Sequence, residues 1–141
     1  MLKRALVWGS AAAAGGAAWT LAEYAVGFHG ERAEIGRYTG FVGLVFPIVA
    51  ITLALRDARR KERGLTFARG VAEGASVTAV LAVLAVAFFA IYFGAINPGF
   101  LDVHGTSLAA QLGAVFASSL IFGLVVSVAA AALMRRSPAM R

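Results

Sequence analysis

Four long apolar runs, separated by short polar segments, divide this chain of 141 residues. They cover residues 5–28, interrupted only by Glu23; residues 38–55, uncharged between Arg37 and Arg56; Phe67–Ile96, with Glu73 near its start; and Leu108–Met134, inside an uncharged stretch from Gly105. A spanning helix needs roughly 20 mainly apolar residues, so each run is long enough or nearly so. The runs are continuous rather than alternating, and an open sheet cannot satisfy its backbone in lipid. The pattern therefore predicts an all-α integral membrane bundle of four transmembrane helices, one domain over residues 1–141. The third and fourth runs exceed one span, which predicts tilt or extension beyond the bilayer.

Local chemistry marks the ends of these helices. Asn97-Pro98-Gly99 stops the third, because Pro98 disfavours helix at the preceding residue and has no N–H for the ladder. Thr66 is placed to cap the start of that helix after the break at Gly64. Pro47, near the middle of the second run, would leave the Gly43 carbonyl without its usual donor and predicts a kink. As a functional feature it would be a hinge; the plainer account is a tolerated membrane proline whose backbone is re-satisfied by neighbours.

Small residues recur at helical spacing and mark faces where backbones can approach. Ser119, Gly123, Ser127 and Ala131 form such a line on the fourth helix, and Ser10, Ala14 and Ala18 form one on the first. Gly36/Gly40 and Gly70/Gly74 are GxxxG pairs. Contact within one bundle is the plainer reading, and an interface with another chain is the alternative.

Composition supports the membrane placement. The chain is 60% apolar and 14% charged, against about 25% charged in an ordinary soluble domain. It has no cysteine, which excludes disulfides, thiolate metal sites and a cysteine nucleophile. Its net charge of +6 fits anionic lipid headgroups better than nucleic acid, because the bases lie between apolar runs. Eleven of the thirteen bases fall in three places that share one side of a four-span chain: Lys3 and Arg4; Arg56, Arg59, Arg60, Lys61, Arg63 and Arg69; Arg135, Arg136 and Arg141. Arg32 and Arg37 alone lie opposite. The positive-inside rule then places both termini in the cytoplasm, in a bacterial inner membrane. Lys3 and Arg4 followed by small residues have the form of a secretory signal, but the run continues through Trp19 and Leu21 far enough to span, so it is read as retained.

Several short segments together resemble a known family. They are the opening Ala5-Leu6-Val7-Trp8-Gly9, the Arg56-Asp57 pair closing the second helix, Gly64-Leu65-Thr66-Phe67 leading into Gly74, and the exit Ile96-Asn97-Pro98-Gly99-Phe100. They resemble small bacterial four-span proteins grouped as a domain of unknown function, the DUF4199 type. The resemblance covers about the first hundred residues, and Gly99 stands where that family often has an acid. It implies a fold and a topology and no activity.

Candidate chemistry is sparse. Glu23 and Glu73 are the two acids within the runs, and an acid in a membrane span is a functional candidate by default. The sharper reading is a proton-coupled transporter, and the segment Trp19-Thr20-Leu21-Ala22-Glu23 is faintly similar to small multidrug exporters with an acid in their first helix. Depth argues for a structural role. Glu23 lies roughly 27 Å beyond Ala5 at 1.5 Å per residue, near one boundary, and Glu73 lies near the other. Each is expected to snorkel or pair locally, Glu73 with Arg69 and Glu23 with outer-loop donors. His29, Glu31, Glu34, Asp102 and His104 gather on the outer side; such residues can hold zinc, or a histidine can ligate a porphyrin, but their scatter over separate loops makes them solvated loop residues. No metal site and no catalytic residue is assigned, and no cofactor is identified. There is no HExxH, GxSxG or phosphate-binding glycine loop, so an enzyme is not expected. Arg56, Arg59, Arg60, Lys61 and Arg63 are expected to meet lipid headgroups.

The function expected from these features is a non-catalytic accessory or interaction subunit of a larger membrane assembly, such as a respiratory or photosynthetic complex. The alternative is a small transporter using Glu23 or Glu73. A third reading is a lipid-binding or envelope-stress protein.

Overall fold

In a computed structural model of the protein, residues 1–62 and 64–134 are described. Arg63, Arg135, Arg136 and Arg141, counted above in the basic pattern, lie outside the described residues. The chain is all-α, with no strand among the described residues, and four of its helical segments are long and apolar enough to cross a membrane.

The first span is α1, Leu2–Ala25. The second is assembled from α2, Ala33–Thr39, a 3-10 stretch over Gly40–Leu44, and α3, Val45–Lys61. It therefore begins earlier than the apolar run suggested. The third is α4, Phe67–Ile91, continued by a π-helical turn over Tyr92–Ile96. A short helix α5, Gly99–Val103, leads to the fourth span, α6, Leu108–Met134. Thr66 caps α4 as its position implied: its hydroxyl accepts from the Arg69 backbone N–H at 3.3 Å.

Pro47 does not break a helix. It is the third residue of α3, where a missing N–H costs little. The Gly43 carbonyl lies in the 3-10 stretch, whose bonds close three residues on, so the donor that proline lacks is not required. The expected kink is a change of helical pitch just before Pro47.

The bundle is held mainly by α4 against α6 and against α1. The α4–α6 seam is antiparallel and reciprocal. Gly123 receives the Thr78 side chain, Gly74 receives that of Ser127, and a Cβ at Gly70 would stand 2.8 Å from the Ala131 Cβ. Both hydroxyls turn back onto their own helices, Thr78 to the Gly74 carbonyl at 2.9 Å and Ser127 to the Gly123 carbonyl at 2.6 Å. No polar atom is stranded by the close approach, and dispersion contact is gained along the whole seam. Gly123, Ser127 and Ala131 are buried in it and Ser119 is half-buried.

The first helix differs from expectation. Ser10, Ala14 and Ala18 lie exposed, and the face turned to the bundle is Ala5, Gly9, Ala12 and Glu23. A Cβ at Gly9 would meet Val80 at 2.7 Å. Helix α1 is small-sided all round from Ala11 to Ala18, so spacing alone could not choose its packing face; the charge at Glu23 and Arg4 sets the rotation. Of the GxxxG pair Gly36/Gly40, Gly36 meets the Phe28 backbone and Gly40 stands open, so the pair joins no two helices.

Candidate functional site

The two acids of the spans occupy opposite ends of the bundle and have different surroundings. At the base-rich end Glu73 is fully buried. Arg4 donates from Nε to Glu73 Oε1 at 2.6 Å and from Nη2 to Oε2 at 3.2 Å, a forked pair between residues 69 apart in sequence. The same Nη2 reaches Glu62 Oε1 at 2.7 Å, and Arg69 donates twice to Glu62 at 3.2 Å. The network ties the start of α1 to the α3–α4 loop and to α4. Arg69, the partner expected for Glu73, stands 4.0 Å from it and serves Glu62 instead. The correction has a geometric cause: Glu73 points into the bundle, where α1 brings Arg4, whereas Arg69 is half-exposed at the rim. Glu73 does not snorkel. The Arg69 and Arg4 guanidiniums hold the Glu62 carboxyl below the usual carboxylate range.

At the other end Glu23 is 5% exposed and has no arginine or lysine partner among the described residues. The Thr39 hydroxyl donates to its Oε1, and His29 Nε2 lies 3.5 Å from its Oε2. His29 Nδ1 bonds the Tyr92 hydroxyl, which also accepts from Asn97 Nδ2 at 3.1 Å. The chain Asn97–Tyr92–His29 thus brings the ring's other nitrogen, Nε2, to the carboxylate from one side, and Thr39 donates to it from another. His29 is therefore a partly buried member of this network rather than a solvated loop residue. The π-helical turn inserts Tyr92 here, where its ring packs edge-on to Tyr24 and His29. Trp19 is fixed by a bond from its indole N–H to the Thr39 carbonyl at 3.1 Å.

Glu23 and His29 stand in the wall of a half-open cleft of about 590 Å³ that all four spans line. Small residues of α1, Ala12, Ala13, Gly16 and Ala17, form one wall; Phe88, Phe89, Tyr92 and Phe93 form another; Pro47 and Leu81 lie deeper, and Gln111 and Ser119 come from α6. From Glu23 to Ala12 is eleven positions, so the cleft follows α1 for about 16 Å at the helical rise. It exists because residues 11–18 carry almost no side-chain volume and the aromatic residues of α4 do not reach across.

The remaining outer residues are not brought together. Glu31, Glu34, Asp102 and His104 are exposed, His104 stacking on Phe100 with centroids 4.0 Å apart. Among the described residues no three His, Asp or Glu side chains converge as a metal site would require. Arg56, Arg59, Arg60 and Lys61 are exposed, Lys61 being paired with Asp57 at 2.9 Å. Thr39 and Tyr92 were not singled out by sequence, and Asn97 was read there as part of a helix stop and of the family-like exit rather than as a site residue. Their nearest signal is positional, since Asn97 and Tyr92 sit at the helix exit and Thr39 just inside the second span.

The sequence matches the model of a family described as "Protein of unknown function (DUF4199)" over residues 7–136. No curated protein and no solved structure matches it. With nearly its whole length matched, the chain belongs to that family.

Proposed function

We propose that this member of the DUF4199 family is a small proton-coupled carrier that binds an amphipathic cation in the Glu23 cleft. One observation carries the reading: a buried carboxylate with no arginine or lysine beside it among the described residues lines a cleft large enough for a small molecule. Pockets of about 300–1,000 Å³ bury most of a drug-sized ligand. Here the apolar body would lie along the α1 alanines. The cationic head would meet Glu23 and the face of Trp19. Glu23 would hold either a proton or the bound cation, and that exclusion would couple the two. The 3-10 to α junction ahead of Pro47 lies on the cleft and is the place where the second span would bend to expose the site alternately. Glu73 takes no part, because its charge is already matched by Arg4.

The test is uptake and equilibrium binding of tetraphenylphosphonium by the protein in liposomes, with a pH-sensitive dye inside. The expected result is saturable binding, proton efflux on cation entry, and loss of both in Glu23→Gln. A Glu23→Gln protein that binds and moves the cation like the wild type would overturn the reading.

A second reading is an accessory subunit of a larger assembly. It is favoured by the small residues Ser10, Ala14 and Ala18, which stand open on the outside of α1. Co-purification of a stoichiometric partner, lost in Ala14→Leu, would support it. In either case we propose a bacterial inner membrane with both termini cytoplasmic. The basic residues at one end support that orientation. A cytoplasm-dependent reporter inserted at residues 59–61 should be active, and one at residues 31–34 silent.

A further inference from the structure

At the base-rich end a second recess, of about 560 Å³, opens between the start of α1 and the end of α3. Its rim carries Lys3, Arg56 and Arg60, all exposed and without an acidic partner among the described residues. Arg4 also lines it but is committed to Glu73 and Glu62, and Lys61 is offset by Asp57. The wall on the bilayer side is apolar: Val7, Trp8 and Leu53, the last lying three residues before Arg56 on α3. A smaller recess of about 330 Å³, lined by Arg56, Arg59 and Arg60, adjoins it. The two recesses share Arg56 and Arg60, one helical turn apart on α3.

We propose that this pair of recesses is a specific site for one phospholipid with two phosphodiester groups, as in cardiolipin. One phosphate sits in the recess between Lys3, Arg56 and Arg60. The second sits against Arg59 on the far side of the shared arginines. A single-phosphate lipid would fill half of the site. Like charges on neighbouring turns of α3 repel, and arginine binds phosphate oxygens in a forked geometry that favours a phosphate between two of them. The apolar wall selects a lipid over a soluble phosphate. An acyl chain leaving the headgroup passes Trp8 and Leu53, where an interfacial aromatic residue is suited to the glycerol level. The site is independent of the Glu23 cleft, at the opposite end of the bundle, and does not rest on the carrier reading.

Native mass spectrometry of the full chain in detergent tests it directly. Cardiolipin and phosphatidylglycerol are offered at matched phosphate, and pyrophosphate is offered separately. The expected result is one cardiolipin retained per chain in preference to phosphatidylglycerol, with pyrophosphate failing to displace it. Each basic residue near a headgroup contributes about 1 kcal/mol, so the double variant Arg56→Gln with Arg60→Gln should weaken cardiolipin binding about 25-fold. Both side chains are exposed, so the variant is expected to fold, and unchanged thermal unfolding in lipid-free detergent checks that. Arg32→Gln with Arg37→Gln, at the other end, should bind as the wild type does. Equal retention of the two lipids, or undiminished cardiolipin binding in the Arg56/Arg60 variant, would refute the site. Displacement by pyrophosphate at similar concentration would refute its assignment to a lipid.

Discussion

Glu73 and Glu23 are both carboxylates buried within membrane-spanning helices, yet one is neutralised by structure and the other is not. Glu73 accepts a forked pair of bonds from Arg4, and Glu62 and Arg69 extend that contact into a four-residue network. Among the described residues Glu23 is met only by a hydroxyl and an imidazole, and it borders open volume. A buried charge is costly unless matched. Glu73 is matched permanently and so is spent on joining α1, the α3–α4 loop and α4. Glu23 is matched by groups that carry no fixed positive charge, and so it retains the capacity to take a proton or a cation. The same residue type is a rivet at one end of the bundle and a candidate site at the other, and the partner decides which.

The largest expected effect tests the rivet. Arg4→Ala removes both hydrogen bonds to the buried Glu73 and leaves it Arg69 at 4.0 Å, and removing one partner of a buried pair costs about 3–5 kcal/mol. Thermal unfolding in detergent should show it as the most severe of these variants, and a change within error of wild type would mean that Glu73 finds water or another base. Glu73→Gln should be milder, about 1–3 kcal/mol, because an amide keeps an acceptor for Arg4 and Glu62 still receives the guanidinium. If Glu73→Gln instead removed cation uptake while Glu23→Gln did not, the contrast between the ends would be reversed.

Smaller effects on stability separate the second end. Glu23→Gln should change unfolding by under about 1 kcal/mol, since the amide oxygen still accepts from Thr39 at the Oε1 position while its NH2 takes the Oε2 place beside His29. Its consequence should appear in proton-coupled uptake, which it should abolish. A loss of stability as large as that of Arg4→Ala would make Glu23 a second rivet.

The smallest effect is one of pH. Glu62 is held below its ordinary value near 4.5 by hydrogen bonds from Arg69 and then Arg4. A depressed folded value means that the unfolded chain binds the proton more readily. The stabilisation is therefore fully present above about the unfolded value and is lost as pH falls through the folded one. Unfolding midpoints should decline slightly as pH drops below 4.5 and the decline should flatten in Glu62→Gln. A slope unchanged by that substitution would assign the acid sensitivity to other groups.

Much of the fold was legible in the chain. Four apolar runs imply four spans because only helices satisfy their backbone in lipid segment by segment. The line Ser119, Gly123, Ser127, Ala131 marked the α6 side of a seam whose α4 side, Gly70 and Gly74, was also visible. The equally regular line Ser10, Ala14, Ala18 does not pack inside the bundle but stands on its outside. A small residue permits close approach but does not compel it, and on α1 other small residues left the Glu23 cleft rather than closing it. Likewise Arg69, at the right helical spacing from Glu73, was the partner that local reasoning preferred.

What the sequence determined by itself, then, was everything that depends on one helix and its solvent: the number of spans, their capped or proline-marked ends, and the concentration of bases at one end. The tertiary structure alone decided which faces meet, that Arg4 reaches Glu73 across 69 positions, and that Thr39 and His29 close on Glu23 beside open volume. The physical reason lies in the lipid. In water an apolar face announces its own burial, but lipid is as apolar as the bundle interior, so the rotation of each helix is set by steric fit and by the few charges that must find partners.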